Sequence, residues 1–208
     1  MNEDKKQNIE YEGVELELIV VREGAEVEYG ASQLFTYEDY CTWSDDERWE
    51  LIDGKAFRMD APNRYHQKIS MNLAGELYIF LKGKACEVYA APFDVRLSVG
   101  EGADTVVQPD ILVVCDREKL DHKGAKGAPE LVIEILSPST THHDRVRKFE
   151  KYIQYGVKEY WIVDPLNKKV EVHMLEVEDL IIYHMGAEVN SSILRGFSIQ
   201  VEDVFADE

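Results

Sequence analysis

A glutamate stands inside an otherwise apolar run, Leu131-Val132-Ile133-Glu134-Ile135-Leu136. A continuous apolar run bounded by polar residues reads as a strand buried on both faces, of the kind that lies within an α/β sheet. A carboxylate that enters such a place loses its hydration and is rarely found there without a partner. The run therefore constrains fold and chemistry together: it asks for a buried strand and for a group that compensates Glu134. A position near a sheet edge, or pairing with a buried arginine, is the structural explanation. A role in holding a cation is the functional one.

Asp110 poses a related question. It follows Pro109 and opens the strand-like run Ile111-Leu112-Val113-Val114-Cys115. Proline is tolerated at the first position of a strand, and aspartate is common at strand mouths for purely structural reasons. Alone the pair says little. Two adjacent strands, however, can bring Asp110 and Glu134 to the same end of a sheet. Mg²⁺ is commonly held by one or two carboxylates, with waters and substrate phosphate oxygens completing its shell.

The rest of the chain supplies the sheet. Its 208 residues suffice for one domain with a full core, and 45% hydrophobic with 31% charged residues is a globular balance. Residues 1–33 read as an acidic extension, and residues 34–208 as a single domain. Within the extension, Val14, Leu16, Leu18, Ile19, Val20 and Val21 form an apolar stretch whose alternation through VELEL predicts an edge or partner-bound strand. Residues 36–43 predict a short helix capped by Thr36, with Asp39 completing the cap. ERWELIDGKAFRM predicts a hairpin around Asp53-Gly54. Ile69, Leu73, Leu77 and Phe80 give residues 63–82 helical spacing, closed by Gly83.

Strands are predicted at 86–97, 106–115 and 130–136, then a helix at 142–155 and a strand at 159–164 that stops at Pro165. A hairpin near 169–175 and 179–184 and a C-terminal tail follow. The core order is helix, three strands, helix, strand, with extra strands at both ends. A mixed central sheet flanked by helices, an α/β fold, is its natural packing.

Charge and cysteine usage exclude several classes. No apolar run approaches the roughly 18–20 residues of a membrane span. The start, MNEDKKQNIE, is too polar for a secretory signal, so no membrane partner is expected. Cys41, Cys86 and Cys115 form no CxxC motif and an odd count. Neither a disulfide framework nor a zinc knuckle is expected, and a reducing cytoplasm is the default location. The formal net charge of −18 argues against holding nucleic acid by bulk electrostatics. The stretch 142–158 runs against that sign, with Arg145, Arg147, Lys148, Lys151 and Lys158 against Asp144 and Glu150. It reads either as a solvated helix face or as the cationic flank of the carboxylate pair.

With these residues in view, the chain resembles the PD-(D/E)xK nuclease superfamily, and within it the Uma2 group (DUF820). The resemblance rests on WELIDGK (49–55), Tyr65-His66, Phe93-Asp94-Val95, QPDILVVCD (108–116) and, above all, PELVIEILSPST (129–140). DRVRKFEKYIQYGVKEYWIVDP follows, and RGFSIQVEDVF matches near the end. It covers roughly residues 36–205. It implies a restriction endonuclease-like core and a metal-dependent endonuclease hydrolysing DNA phosphodiester bonds. Asp110, Glu134 and the backbone carbonyl of Ile135 would hold Mg²⁺ or Mn²⁺, with Lys148 assisting.

In the parent motif the lysine lies two residues beyond the acid, on the same strand face. Leu136 holds that place here. The resemblance moves the lysine to the next helix and matches it to Lys148 in preference to Lys151. On that helix Val146, Phe149 and Ile153 are expected to form the buried stripe, with Asp144, Lys148 and Lys151 beside it.

The resemblance also places Glu50 and His66 at the site. Asp94 joins it by resemblance only, with pairing to Arg96 as the structural alternative. Ser137 to His143 reads as a capped helix entry, or as a loop that receives a phosphate. A homodimer is expected on the base rate for such enzymes. The rival expectation is a nuclease-fold protein that binds nucleic acid or a protein partner without cutting. The acidic balance and the lack of a recognisable DNA-reading module favour it.

Overall fold

Two-residue turns with both residues left-handed suit the right-handed twist of a hairpin, and Asp53 (φ 51°) with Gly54 (φ 74°) forms one. The computed structural model describes the backbone of residues 6–11, 14–19 and 28–29, and residues 34–44 and 46–206 in full. Val20 and Val21 of the N-terminal strand expectation, and much of the 1–33 extension, lie outside the described residues.

In chain order the first elements are β1 (Lys6–Tyr11), β2 (Val14–Ile19), β3 (Glu28–Tyr29), α1 (Tyr37–Tyr40), β4 (Arg48–Ile52) and β5 (Lys55–Met59). Next come α2 (Arg64–Leu81), β6 (Glu87–Ala90), β7 (Val95–Arg96), β8 (Val106–Val107) and β9 (Ile111–Val114). After a 3₁₀ turn at Arg117–Lys119 follow β10 (Leu120–Asp121), β11 (Gly124–Lys126) and β12 (Leu131–Ile135). A π-helical turn at His143–Lys148 runs into α3 (Phe149–Tyr155), and β13 (Glu159–Asp164), β14 (Lys169–Met174) and β15 (Asp179–His184) come next. β16 (Glu188–Asn190), β17 (Ser198–Gln200) and α4 (Val201–Val204) close the chain.

The chain divides into two compact units. The first comprises Met1–Ala61 and Ser98–Val107. Its strands lie in the order β1-β2-β3-β5-β4-β8. The short helix α1 carries the expected capping box, in which Thr36 Oγ1 accepts from the Asp39 N–H and the Asp39 carboxylate accepts from the Thr36 N–H at 2.8 Å.

The second unit comprises Pro62–Leu97 and Gln108–Glu208. Its centre is a six-stranded mixed sheet in the order β15-β14-β13-β12-β9-β6. β12 pairs antiparallel with β9 and parallel with β13, so it lies inside the sheet and is buried along its whole length. α2 packs Ile69, Leu73, Leu77 and Leu81 into one core with Ile111, Val113, Leu131, Ile133 and Trp161. Phe80 is only partly buried, since the stripe continues at Leu81 instead. The C-terminal tail is structured: β16 and β17 pair, and Val201, Val204 and Phe205 enter the same core. Among the described residues, no helix is long and apolar enough to cross a membrane.

Several expectations are corrected. The strand expected over 86–97 is two short strands, interrupted around Pro92, which has no N–H to donate to a ladder. The strand expected over 106–115 divides into β8 and β9, which belong to different units. The strands β10 and β11, over 120–126, had no periodicity to announce them. Cys86 and Cys115, expected to be thiols, form a disulfide. The antiparallel register of β6 and β9 explains the pairing, because Glu87 lies opposite Val114 and the flanking cysteines therefore meet. Cys41 is exposed and takes no part in this disulfide.

Candidate active site

The antiparallel pairing of β9 with β12 sets the start of one strand against the end of the other. Asp110 precedes β9 and Glu134 lies near the end of β12, and the two residues lock together. The Ile135 N–H donates to Asp110 Oδ2 at 2.8 Å, and the Asp110 N–H donates to Glu134 Oε2 at 3.3 Å. Each carboxylate is thus oriented by the backbone beside the other. Glu134 is buried, whereas the Asp110 side chain keeps 19% exposure.

The helix after β12 supplies the compensating charge. Lys148 Nζ lies 3.0 Å from Glu134 Oε1 and 3.5 Å from Asp144 Oδ1, and all three side chains are almost wholly buried. Tyr152 donates its hydroxyl to the same Glu134 Oε1 at 2.7 Å. Asp144, Lys148 and Tyr152 follow one another at intervals of four and form the inward stripe of the helix. This reverses the expected packing at two of its three positions: Val146 and Ile153 are 41% and 50% exposed, while Phe149 is partly buried against Tyr160 and His173. The inward stripe is ionic because β12 presents Glu134 to it, and a buried carboxylate is held by a cation and hydrogen bonds at lower cost than by methyl groups. The first turn is wound as a π-helix, a variant that recurs at functional sites.

The electrostatics follow from this burial. Burial raises the pKa of Asp144, with the Lys148 ammonium opposing the shift. Burial, reinforced by Glu134, Asp144 and Asp110, pushes the Tyr160 hydroxyl well above its usual value; that hydroxyl donates to the Asp144 carbonyl at 3.1 Å. On α2, His66 Nε2 sits 3.2 Å from Asp110 Oδ2. Burial works against a charged His66, but Asp110, the Ile135 backbone and Asp144 outweigh it, and its pKa is raised.

The structure therefore brings together Asp110, Glu134, Ile135, Lys148 and His66 in the second unit. Glu50, buried on β4, belongs to the first unit. Lys151 instead donates to Gln154 on the exposed face. Asp94 accepts from Gln108 at 2.9 Å, while Arg96 pairs with Asp121 at 2.7 Å. Of the basic stretch, Arg145 is engaged by a two-pronged pair with Glu171 at 2.7 and 2.9 Å. In the 137–141 loop the hydroxyls bond one another and the backbone, and the helix entry at His142 has no side-chain cap. Sequence reasoning passed over Tyr152 and assigned Asp144 to a flanking stripe. The signal was present, since Glu134 required a buried partner and Lys148-Tyr152 repeats at the spacing that delivers one.

Among the described residues, no three His, Cys, Asp or Glu side chains form a protein-only metal cage. The donor set nevertheless fits a hard divalent cation of the Mg²⁺ type, which takes one or two carboxylates and leaves the remaining positions to water and phosphate. Asp110 and Glu134 are linked, and Asp110 is bonded to the described residues through Oδ2, which leaves Oδ1 available.

A mixed sheet with α2 on it, a carboxylate at the mouth of one strand, a second near the end of its neighbour and a buried lysine define a nuclease-type α/β fold. The family model described as "Uma2: Putative restriction endonuclease" matches residues 36–202, and the chain belongs to this family. Two relatives from Synechocystis sp. (strain ATCC 27184 / PCC 6803 / Kazusa) match it, both described as uncharacterized proteins. Protein slr1290 is 27% identical over 139 residues, 65% of this chain and 72% of its own length. Protein sll1609 is 26% identical over 157 residues, 72% of this chain and 86% of its own. The crystal structure described as a putative nuclease belonging to DUF820 from Anabaena variabilis ATCC 29413 has a TM-score of 0.69 at 19% identity. The match covers 82% of this chain and 97% of that one, and it establishes a shared fold.

Proposed function

We propose that this chain is a divalent-metal-dependent endonuclease acting on DNA phosphodiester bonds. The observation that carries the reading is the Asp110–Glu134 seam with Lys148 seated on it at 3.0 Å. Asp110 and Glu134, with the Ile135 carbonyl, would hold Mg²⁺ or Mn²⁺. When bound, the cation supplies positive charge to a phosphoryl oxygen and favours deprotonation of water. Lys148, oriented by Glu134 and Asp144, offers a fixed positive charge to the phosphate as negative charge builds on it. Tyr152 holds Glu134 in place, and His66 holds Asp110. Glu50 is assigned to the site on the family resemblance alone.

Cleavage of plasmid and oligonucleotide substrates with and without Mg²⁺ or Mn²⁺ tests this, with Glu134→Ala and Lys148→Ala as controls. Cleavage that survives both substitutions rejects the assignment. The second reading is a nuclease-fold protein that binds nucleic acid or a protein partner without cutting. The net charge of −18 favours it, as does the engagement of Arg145 by Glu171, which removes one cation from the basic stretch. Calorimetry with Mg²⁺ and Mn²⁺, comparing the wild type with Asp110→Asn in the presence of DNA, separates the two. Metal binding lost in Asp110→Asn supports the enzyme, and no metal binding in the wild type supports the binding protein.

A further inference from the structure

We infer that β15 is a self-association edge, through which two copies of this chain pair antiparallel about a two-fold axis and join their six-stranded sheets. Among the described residues β15 is the end strand of that sheet, on the side away from β6. An exposed edge is normally blunted by lysine, proline, a bulge or a charge. Asp179-Leu180-Ile181-Ile182-Tyr183-His184 contains no lysine, proline or glycine. Leu180, Ile181 and Ile182 are 44%, 42% and 44% exposed.

The register with β14 shows why this edge is unusual. Ile181 and Tyr183 lie on the face of Val172 and Val170, which enter the core. Leu180 and Ile182 lie on the opposite face, with His173 and Glu171. The strand is therefore apolar on both faces, and its central residues carry no charge that would keep another strand from its edge.

The charges on the β14–β15 ribbon select the occupant. Its turn end carries Glu176, Glu178 and Asp179, all exposed. Its other end carries Lys168, which is exposed, and Lys169, which lies directly opposite His184 and pairs with Glu171 at 2.8 Å. An antiparallel copy sets the acidic end of one ribbon beside the basic end of the other, twice over, while a parallel neighbour would set like beside like. A two-fold antiparallel pair also requires some residue to lie opposite itself. With Ile181 in that position, Leu180 lies opposite Ile182 and Asp179 opposite Tyr183. Isologous pairing of this kind closes on itself and does not propagate into fibres.

Sedimentation of the full chain across the micromolar range tests the inference. The expected mass is twice 23.9 kDa, falling to 23.9 kDa for Ile181→Lys. Unchanged far-ultraviolet circular dichroism in that variant excludes unfolding as the cause. Cross-linking gives a second readout on a Cys41→Ser background. Ile181→Cys is expected to form a disulfide-linked dimer on mild oxidation, whereas Val177→Cys, exposed in the same ribbon, is not. A monomeric wild type at every concentration overturns the proposal, and so does a dimer that Ile181→Lys leaves intact. Failure of Ile181→Cys to cross-link in a confirmed dimer places the interface elsewhere. None of these outcomes depends on nuclease activity.

Discussion

Replacing Lys148 by methionine keeps most of the length of the side chain and removes a cation that touches both Glu134 (3.0 Å) and Asp144 (3.5 Å). Breaking a buried pair by deleting one partner costs about 3–5 kcal/mol, because the other charge stays buried without compensation. Two features place the loss near the lower end of that range. Glu134 keeps the Tyr152 hydroxyl and the Asp110 N–H. Asp144, whose pKa burial already raises, can take up a proton. Glu134→Gln is milder, at about 1–2 kcal/mol, since the amide oxygen still accepts from Tyr152 and Lys148 keeps Asp144.

The double variant removes both members of the pair. Its cost is expected to fall short of the sum of the single costs by about 2 kcal/mol. Urea unfolding of all four proteins at neutral pH measures this coupling directly. The pH dependence supplies a second check. A carboxyl group whose folded-state pKa lies above its unfolded value binds more protons when folded, so stability rises as pH falls through that interval. The Lys148→Met deficit should therefore shrink on mild acidification. Additive single costs together with a deficit independent of pH would refute the claim that Lys148 compensates two buried carboxylates.

Further outcomes are expected elsewhere in the second unit. The raised pKa of His66 contributes stability that is fully present below the unfolded value near 6.5 and is lost as pH rises through the folded value. His66→Gln should abolish that slope, and an NMR titration midpoint at or below 6.5 in the wild type would contradict it. Burial opposes ionisation of Glu171, yet Arg145 and Lys169 pull its pKa down to about 2 from 4.5. Its contribution is present above 4.5 and lost as pH falls toward 2, so Glu171→Gln should flatten the acid limb of the stability profile; an unchanged limb would exclude the pair as its source. Thiol titration of the denatured, unreduced protein should find Cys41 alone, with Cys86 and Cys115 appearing after reduction. Reduction should cost about 3–4 kcal/mol for a loop of this size, and three thiols before reduction would show that the bond does not form.

Much of the fold was legible because local chemistry and tertiary packing agree. Asp53-Gly54 sits in the left-handed turn its residue types favour, and Thr36 with Asp39 forms the capping box its spacing announces. Ile69, Leu73 and Leu77 face the core that their helical spacing predicts. The segments that misled are those where one local pattern hides two destinations. The alternation through Phe93, Val95 and Leu97 runs straight on from β6, although Pro92 interrupts the ladder. The apolar residues from Val106 to Val114 divide between two units.

At the candidate site the same division holds, and it returns to Glu134. The sequence by itself determined that a carboxylate stands in an apolar strand and, if buried there, needs a partner, because desolvation of an unpaired carboxylate is costly. Only the tertiary structure decided who the partners are. The antiparallel register of β9 and β12 joins Asp110 to Glu134, and the helix turns Asp144, Lys148 and Tyr152 inward while Val146 and Ile153 face solvent. A periodicity argument ranks side chains by their affinity for water, one helix at a time. Which face is buried here depends on the charge that another strand presents across the packing interface, a quantity absent from the helix's own sequence. The disulfide rests on the same ground, since the register of β6 against β9, and no spacing between the cysteines, brings Cys86 and Cys115 together.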